Sequence, residues 1–235
     1  MMNAMMNAPA RRRLDSLTQQ LPSLSSSPAA SSATERAGDP HYLMQEVSAP
    51  YSALVQVGVG SGALPAGSTV VFFTTTDSVG ALGLPPAQAA DFGGKSAAVT
   101  TTYSGSTLAS TAGADRVFCV GLGPAAAVSS EGFRSAVTAG VAALKAAKIT
   151  DAYVLLPGDT PLNQARLVAD LTVAAVLADY SFDIYISDQA RKFHIGTLTI
   201  FSDDAGAAAA AAAAYAVAKG QCTARDLVNT RAGVP

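Results

Sequence analysis

Residues 116–123 read Arg-Val-Phe-Cys-Val-Gly-Leu-Gly, an apolar run that ends in two glycines one residue apart. A continuous apolar run of this length is typical of a strand whose two faces are both buried in a parallel sheet. A helix is predicted next, because Ser129 or Ser130 can cap it and Glu131 places a carboxylate in its first turn. The stretch therefore predicts a buried strand, a glycine turn and a helix in succession.

The same alternation continues along the chain. Apolar side chains recur at the spacing of one helix face, at Phe133, Val137, Val141 and Leu144. A strand is predicted at Asp151–Leu156, and Thr160 with Pro161 predicts the cap and first residue of a second helix. Strands alternating with helices are typical of an α/β domain with a largely parallel sheet.

Further elements are predicted on both sides of this centre. Upstream strands are predicted at His41–Val47, Tyr51–Val59, Ser68–Thr75 and Lys95–Tyr103, with a loop and one short helix between Gly80 and Gly94. Downstream strands are predicted at Phe182–Ile186 and Ile195–Phe201. The whole pattern predicts a mostly parallel mixed sheet flanked by helices.

The last predicted element is a long alanine-rich helix. It is predicted to begin at Asp203 and Asp204, whose carboxylates suit a helix N-terminus, and to reach Asn229. Gly206 and Gly220 are its weak points, because glycine has a low helix propensity. The chain is thus predicted to comprise a segment 1–39, an α/β domain 40–202 and a linker helix 203–235.

Composition excludes several classes of protein. The 235 residues are 49% hydrophobic and 14% charged, which argues against a wholly disordered chain. A formal net charge of −2 provides no overall attraction to nucleic acid or anionic lipid, and no apolar run is long enough to span a membrane. Two Cys and two His are too few for zinc ribbons or a disulfide scaffold.

The segment 1–39 differs from the rest. Arg11, Arg12 and Arg13 form a basic cluster, a Ser/Ala/Pro-rich stretch follows, and acidic residues are scarce. This composition is typical of a mitochondrial or plastid transit peptide, and a plain disordered tail explains it equally well. Without an organellar address, we expect the protein in the cytoplasm.

Three short motifs resemble nucleotide or metal sites. Gly58-Val-Gly-Ser-Gly-Ala63 is close to a dinucleotide fingerprint, but no helix is predicted after it. Gly94-Lys95-Ser96 is similar to the end of a phosphate-binding loop, but the required first glycine is Ala89. Asp91-Phe92-Gly93 matches a kinase tripeptide without the other kinase signatures. We interpret the first as a plain hairpin or loop, consider the second not to be a phosphate-binding site, and interpret the third as a chance match.

Single reactive side chains do not combine into a site. His41 and His194 are isolated beside strands, and core or surface roles explain them. Cys119 is predicted to be a buried small hydrophobe, and Cys222 has no second cysteine nearby. Capping explains Asp203 and Asp204 without a metal. We therefore predict no catalytic, cofactor-binding or metal-binding residue in this chain.

Several segments together resemble the N-terminal domain of the leucine aminopeptidase family, the two-metal cytosol aminopeptidases. The strongest is Ala-Arg-Asp-Leu-Val-Asn at 224–229, which is similar to the family sequence where the interdomain helix meets the catalytic domain. The strand and Gly-Leu-Gly at 116–123, Tyr-Ser-Phe-Asp-Ile-Tyr at 180–185 and Phe-Gly-Gly-Lys at 92–95 resemble family segments in the same order. One departure is Thr230, where the family pattern commonly carries proline.

The resemblance implies a macro-domain-like fold and a non-catalytic role. The family releases N-terminal amino acids from peptides with two divalent cations, zinc or manganese, held by a catalytic domain whose motifs have no counterpart in these 235 residues. The resemblance therefore implies inactivity of this chain alone, with the catalytic domain of the same protein and a homohexamer as partners. Two alternatives stay open: a module that binds ADP-ribose or a nucleotide, as macro domains do, and a catalytically dead structural subunit.

Overall fold

The structure is a computed structural model that describes residues 53–230 apart from 105, 159, 184 and 189–191. The predicted strand His41–Val47, the segment 1–39 and residues 231–235 lie outside the described residues. Within the described part, no helix is both long and apolar enough to cross a bilayer.

Six strands form one sheet with the spatial order β1-β6-β5-β2-β4-β3. Their bounds are β1 Gln56–Gly60, β2 Ser68–Thr74, β3 Val99–Tyr103, β4 Ala114–Gly121, β5 Asp151–Leu155 and β6 Thr197–Phe201. All neighbouring pairs are parallel except β3 and β4, which are antiparallel. The predicted mostly parallel mixed sheet is confirmed.

Five α-helices accompany the sheet in the described chain. They are α1 Pro86–Phe92, α2 Thr107–Ala112, α3 Ser130–Ala146, α4 Gln164–Asp179 and α5 Ala207–Asn229. Short 3-10 turns occupy Val79–Leu82 and Ala125–Ala127. The predicted flanking helices and the long C-terminal helix are therefore confirmed.

The two faces of the sheet are covered differently. The helices α3, α4 and α5 bury one face, where Phe73 of β2 packs its ring against Phe133 of α3. The other face carries a smaller core beneath α1, α2 and the first 3-10 turn. Side chains alternate between these cores along β2: Val71 faces the large core and Val70 the small one.

Helix α5 packs against α4 and β1 through small side chains. The buried side of α5 consists of Ala207, Ala211, Ala214, Ala218 and Cys222. Their spacing of three or four residues places them on one face of the helix. Because alanine has no side chain beyond Cβ, the two helix backbones can approach closely, and the alanine-rich sequence is part of the core.

Several predicted boundaries were wrong. Helix α4 begins at Gln164 rather than at Thr160 and Pro161, because the Asn163 side chain caps it and accepts a hydrogen bond from the Arg166 amide at 2.8 Å. Asparagine is among the strongest N-cap residues, so this nearer signal decides the start. The cap of α3 was correctly predicted: the Ser129 hydroxyl accepts from the Gly132 amide at 3.1 Å.

The predicted strand Phe182–Ile186 is wrong, because its described residues form no strand. The Ile186 amide donates to the Asp183 carbonyl at 3.0 Å, and the ring of Phe182 meets that of Tyr185 edge to face. The segment therefore folds back on itself as a turn. Strand β6 is already paired on both sides, so the sheet offers no edge next to it.

Three other elements differ from the prediction. Helix α5 begins at Ala207, with Gly206 as its N-cap, and Asp204 instead accepts a hydrogen bond from the Gly206 amide at 2.7 Å in the preceding turn. The first four residues of the predicted strand Lys95–Tyr103 form a tight turn before β3. Helix α2 was not predicted; the Ser106 side chain caps it.

The carboxyl end of β4 lies against the backbone that precedes β3. A Cβ atom at Gly121 would overlap the carbonyl oxygen of Lys95, and the carbonyl carbon of Gly94 lies 2.7 Å from the same point. These atoms are backbone and cannot rotate away. A side chain at Gly121 therefore requires a shift of the chain itself.

We expect Gly121→Ala to lower the free energy of unfolding by about 3 kcal/mol, the upper end of the usual range for overpacking. Gly220→Ala is the matched control, since a Cβ there meets nothing within 4 Å. It should stabilise the helix by about 0.5–1 kcal/mol. Urea denaturation followed by circular dichroism measures both, and equal effects of the two substitutions would contradict the packing argument.

Candidate functional site

The turn Gly121–Gly123 follows a buried strand, where backbone amides could hold a phosphate, but its amides are already used. The Gly121 amide donates to the Ala98 carbonyl at 2.8 Å, that of Leu122 to Thr74 at 2.8 Å and that of Gly123 to Gly94 at 2.9 Å. A phosphate at such a turn is held by free backbone N–H groups. This turn joins β2, β4 and the segment before β3, and it presents no free amide from these residues to an anion.

The other glycine motifs also have structural roles. Gly93 and Gly94 adopt left-handed conformations, with φ of 55° and 61°, so that the chain turns tightly out of α1. Strand β3 follows Lys95 and Ser96, where a phosphate-binding loop requires a helix. A loop to β2 follows Gly60, so the dinucleotide fingerprint also lacks its helix.

Both cysteines are buried and free. Cys119 lies in the small core, and burial raises the pKa of its thiol to about 12. Burial also raises the pKa of Cys222, with nearby Arg225 opposing the shift and Asp226 adding to it. Since the thiolate is the reactive form, burial disfavours nucleophilic reactivity of both side chains.

Asp170 of α4 is the centre of the first charged cluster. Arg134 of α3 donates to it through Nε at 3.0 Å and Nη2 at 2.7 Å, and Arg166 donates through Nε at 2.9 Å. Burial acts to raise the pKa of Asp170, but the hydrogen bonds from Arg134, Ser130 and Arg166 prevail and hold it below its usual value. The cluster ties α3 to α4.

A second polar cluster surrounds the end of α4. Asp179 is fully buried and accepts from the Ile195 amide at 3.1 Å, and Lys145 Nζ lies 3.4 Å from its Oδ1. The His194 ring lies between two carboxylates, with Nε2 3.0 Å from Asp183 Oδ2 and Nδ1 3.5 Å from Asp179 Oδ2. These contacts anchor the segment between α4 and β6.

Helix α5 ends at a third polar cluster, which we call the Tyr180 junction. The Tyr180 hydroxyl donates to Oδ1 of the buried Asp226 at 2.9 Å, and Asn229 Nδ2 lies 3.5 Å from the same hydroxyl. Arg225 stacks its guanidinium over the Tyr180 ring at 5.4 Å from the centroid. Tyr180 begins the segment 180–185, so two stretches that are 46 residues apart in the sequence meet here.

No group of three or more His, Cys, Asp or Glu side chains within the described residues is arranged to hold a metal ion. His194 is the histidine that these residues include, and its two ring nitrogens face different carboxylates. His41 lies outside the described residues. A two-metal hydrolytic site does not fit the donors that this part of the chain provides.

Sequence reasoning did not identify the clusters around Asp170 and Asp179. The spacing of Arg166 and Asp170, four residues apart, was a usable signal for an ion pair on one helix face. Lys145, Asp179 and His194 come from separate segments, and no local pattern connects them.

Residues 84–189 match the family model described as the N-terminal domain of the cytosol aminopeptidase family. This range includes the Gly-Leu-Gly turn and the segment 180–185, two of the stretches that resemble that family. Residues 84–189 of this chain are therefore similar to a cytosol aminopeptidase N-terminal domain. The Tyr180 junction links segment 180–185, which lies within the matched residues, to the end of α5.

Solved structures of related fold support the assignment of the architecture. The bottromycin maturation enzyme BotP in complex with Mn matches with a TM-score of 0.58 and 24% identity, over 72% of this chain and 33% of BotP. A mutant of tomato leucine aminopeptidase matches with a TM-score of 0.61 and 21% identity, over 76% of this chain and 39% of that enzyme. A comparison with curated protein sequences gave no match.

The chain thus matches 33% of the length of BotP and 39% of the length of the tomato enzyme. At these identities the similarity establishes the fold. The manganese belongs to the BotP structure, and the described residues of this chain contain no matching metal site.

We expect Asp170→Asn to lower the free energy of unfolding at neutral pH by about 1–2 kcal/mol, because two arginines lose their buried acceptor. The folded-state pKa of Asp170 is lowered, so its stabilisation is present above the ordinary carboxyl range near about 4 and is lost as pH falls through the folded value. The stabilities of the wild type and the variant should therefore converge in acid, as measured by urea denaturation across pH.

Glu131→Gln is the matched control for this experiment. Glu131 Oε2 lies 3.9 Å from the same Arg134, but its side chain is 88% exposed. Removal of this charge should have little effect at any pH. A destabilisation by Asp170→Asn that stays constant from neutral to strongly acidic pH would contradict a role for the carboxylate charge.

We expect Tyr180→Phe to destabilise the domain by about 1–3 kcal/mol, because the buried Asp226 loses a hydrogen-bond donor. Tyr185→Phe is the control, since that ring is 54% exposed and its change should stay within about 0.5 kcal/mol. Thermal unfolding of the two variants measures the difference. Equal melting temperatures would show that the junction does not stabilise the end of α5.

Proposed function

We propose that this chain is the non-catalytic N-terminal part of a leucyl aminopeptidase, a metal-dependent enzyme that releases N-terminal amino acids from peptides. Its role is to support a catalytic domain of the same protein by packing and by oligomer assembly. The family match and the fold support this proposal, together with one observation on α5.

The observation is that α5 is apolar on two sides, of which the domain core covers one. At 3.6 residues per turn, a second stripe of exposed apolar residues runs along the side away from the core. It consists of Ala209, Ala213, Ala216, Val217, Ala224, Leu227 and Val228. Val217 and Val228 are 56% and 84% exposed, and the charged residues of α5 lie off this stripe. Exposed apolar residues that form a continuous patch commonly mark an interaction surface.

A separate groove is lined by four apolar and three polar residues of α3, α4 and α5, namely Arg134, Thr138, Val173, Ala174, Leu177, Ala178 and Gln221. None of these residues belongs to the stripe. The exposed stripe of α5 is the surface that we assign to a partner. The catalytic domain is the partner that we place on it, and the Tyr180 junction fixes the end of the helix that leads toward that domain.

The two divalent cations of the proposed enzyme, zinc or manganese, belong to the catalytic domain. The described residues of this chain do not fit such a site, so no catalytic step is assigned to them. The proposal further includes a homohexamer as the assembled state. The proposal also keeps the predicted boundary between an α/β domain that ends at residue 202 and a linker helix that begins at residue 203. In the structure, α5 shares its core with the rest of the domain. The proposal places the protein in a mitochondrion or plastid if residues 1–39 act as a transit peptide, and in the cytoplasm otherwise.

Neither alternative function is favoured. An ADP-ribose or nucleotide module requires free backbone donors at the Gly121–Gly123 turn, and its three amides are already bonded to carbonyls. For a catalytically dead subunit, no observation on the described residues supports that role over the leading proposal. Calorimetry with ADP-ribose tests the first alternative. Heat of binding at micromolar ligand would support a nucleotide-binding module.

The decisive experiment begins by reading the coding sequence beyond codon 235, where the proposal predicts a continuation. We expect that continuation to encode the lysine, aspartates and glutamate of the metal site. We also expect the 235-residue chain alone to show no turnover of a leucine chromogenic substrate with added manganese. The two parts expressed together should form a complex and hydrolyse the substrate.

Charge placed on the stripe tests the docking surface separately. Val217→Lys combined with Val228→Lys should leave the stability of the isolated chain within about 1 kcal/mol of wild type, because both positions are exposed. It should weaken the complex at least tenfold, since two charges then lose water on binding. Ala142→Lys, at an exposed position of α3, is the control. Turnover by the chain alone, or a continuation without metal ligands, would overturn the proposed function.

A further inference from the structure

Strand β3 is the last strand of the sheet beyond β4, and its hydrogen bonds to β4 show which of its backbone groups face outward. The Gly121 amide donates to the Ala98 carbonyl at 2.8 Å, and the Ser104 amide donates to the Asp115 carbonyl at 2.7 Å. Because main-chain groups alternate along an antiparallel pair, the even-numbered residues of β3 bond to β4. The N–H and C=O groups of the odd-numbered residues therefore point away from the sheet: Val99, Thr101 and Tyr103.

The half-buried side chain of Gln88, on α1, occupies the centre of this edge. Its Nε2 donates to the Thr101 carbonyl at 3.1 Å and to the Thr100 hydroxyl at 2.7 Å. Thr101 is the middle residue of β3, and its carbonyl is an outward acceptor. Covering an edge in this way is one of the devices by which proteins prevent pairing with another strand.

The strand itself carries none of the other usual protections. Its sequence, Val-Thr-Thr-Thr-Tyr, contains no charge and no proline, and it pairs with β4 without a bulge. β-Branched and aromatic residues favour the strand conformation. Arg116 stacks its guanidinium over the exposed Tyr103 ring at 5.0 Å from the centroid, so this charge lies at the end of β3 rather than at its centre. Gln88 is therefore the main protection of the β3 edge within the described residues.

The edge is also complementary to itself. If a second copy of β3 runs antiparallel about a twofold axis at Thr101, the two Thr101 residues face each other and each Val99 faces Tyr103. All of these residues direct their backbone groups outward, as the hydrogen-bonded positions of an antiparallel pair require. Threonine pairs and aromatic pairs with β-branched residues are favourable across strands, and no like charges meet. The Tyr103 carbonyl already accepts from the Ser106 amide at 3.1 Å, so this pairing is weakest at its ends.

We infer that β3 is a self-pairing edge for a second copy of this chain and that the Gln88 side chain keeps it closed. Gln88 holds the Thr101 carbonyl, which is the acceptor at the centre of the twofold pairing. A contact of this kind uses the same surface on both copies. β3 lies at the opposite edge of the sheet from β1, against which α5 packs. The β3 edge is therefore separate from the α5 stripe on which the proposed function depends.

Gln88→Met in the full 235-residue chain tests the role of the side chain, because methionine keeps its length and removes its donor. Light scattering over a range of protein concentrations should show self-association at least about tenfold tighter than that of the wild type, because the edge is then uncovered. Ala87→Met is the matched control, since it adds the same side chain at the exposed neighbouring position of α1 and leaves Gln88 in place. It should behave as the wild type does.

Amide hydrogen exchange locates the contact. In the wild type, the amides of Val99 and Thr101 should exchange rapidly at every protein concentration. In Gln88→Met, their exchange should slow by about tenfold or more as the concentration rises, because they then donate to the second copy. The amides of Thr100 and Thr102 bond to β4 in both proteins and are the internal control.

Gln88→Lys provides a rescue of the closed edge. Lysine retains a donor for the Thr101 carbonyl and adds a charge that opposes an identical charge across the twofold axis. This variant should therefore associate no more strongly than the wild type. Circular dichroism establishes that each variant is folded, and Gln88→Ala replaces Gln88→Met if methionine does not fit.

Three results would overturn the inference. The first is unchanged self-association of a folded variant without the Gln88 donor. The second is self-association of that variant with Val99 and Thr101 still exchanging rapidly, which would place the contact elsewhere on the chain. The third is slow exchange of these two amides in the dilute wild type, which would show that the edge is already paired.

Discussion

The structure depends on a close approach of two backbone segments at the carboxyl end of β4. Gly121 lies so near the carbonyl groups of Gly94 and Lys95 that no side chain fits between them. This contact brings the segment before β3 alongside β4 and lets their amides and carbonyls bond. The antiparallel strand β3 and the tight left-handed turn after α1 both follow from it. The same bonds consume the amides with which a phosphate-binding turn would hold its ligand.

Helix α5 has two apolar sides, one packed against the domain and one exposed. Alanines on its inner side allow close packing against α4, and alanine, valine and leucine on its outer side form the exposed stripe. Polar contacts determine where the helix ends, because Tyr180 holds the buried Asp226 and Arg225 covers the Tyr180 ring. The helix is therefore fixed to the domain at its carboxyl end, next to the point where the proposed catalytic domain begins.

The parts predicted correctly were those with strong local signals. The apolar run at 116–121 became β4, and the serine cap with the stripe from Phe133 to Leu144 became α3. Wrong predictions arose where two nearby residues could each cap the same helix. Thr160 was predicted as the cap of α4, but Asn163 is the cap in the structure. Phe182–Ile186 has the composition of a strand, but β6 has two neighbours already, so the segment forms a turn.

By itself, the sequence determined the alternation of strands and helices, the long alanine-rich final helix and the resemblance to the cytosol aminopeptidase N-terminal domain. These features depend on residue type and spacing over short stretches, which the sequence displays directly. Only the tertiary structure decided the strand order, the clusters around Asp170 and Asp179, the Tyr180 junction and the state of the Gly121–Gly123 amides. Each of these joins residues that are far apart in the chain, and their contacts exist only after the sheet and helices have packed together.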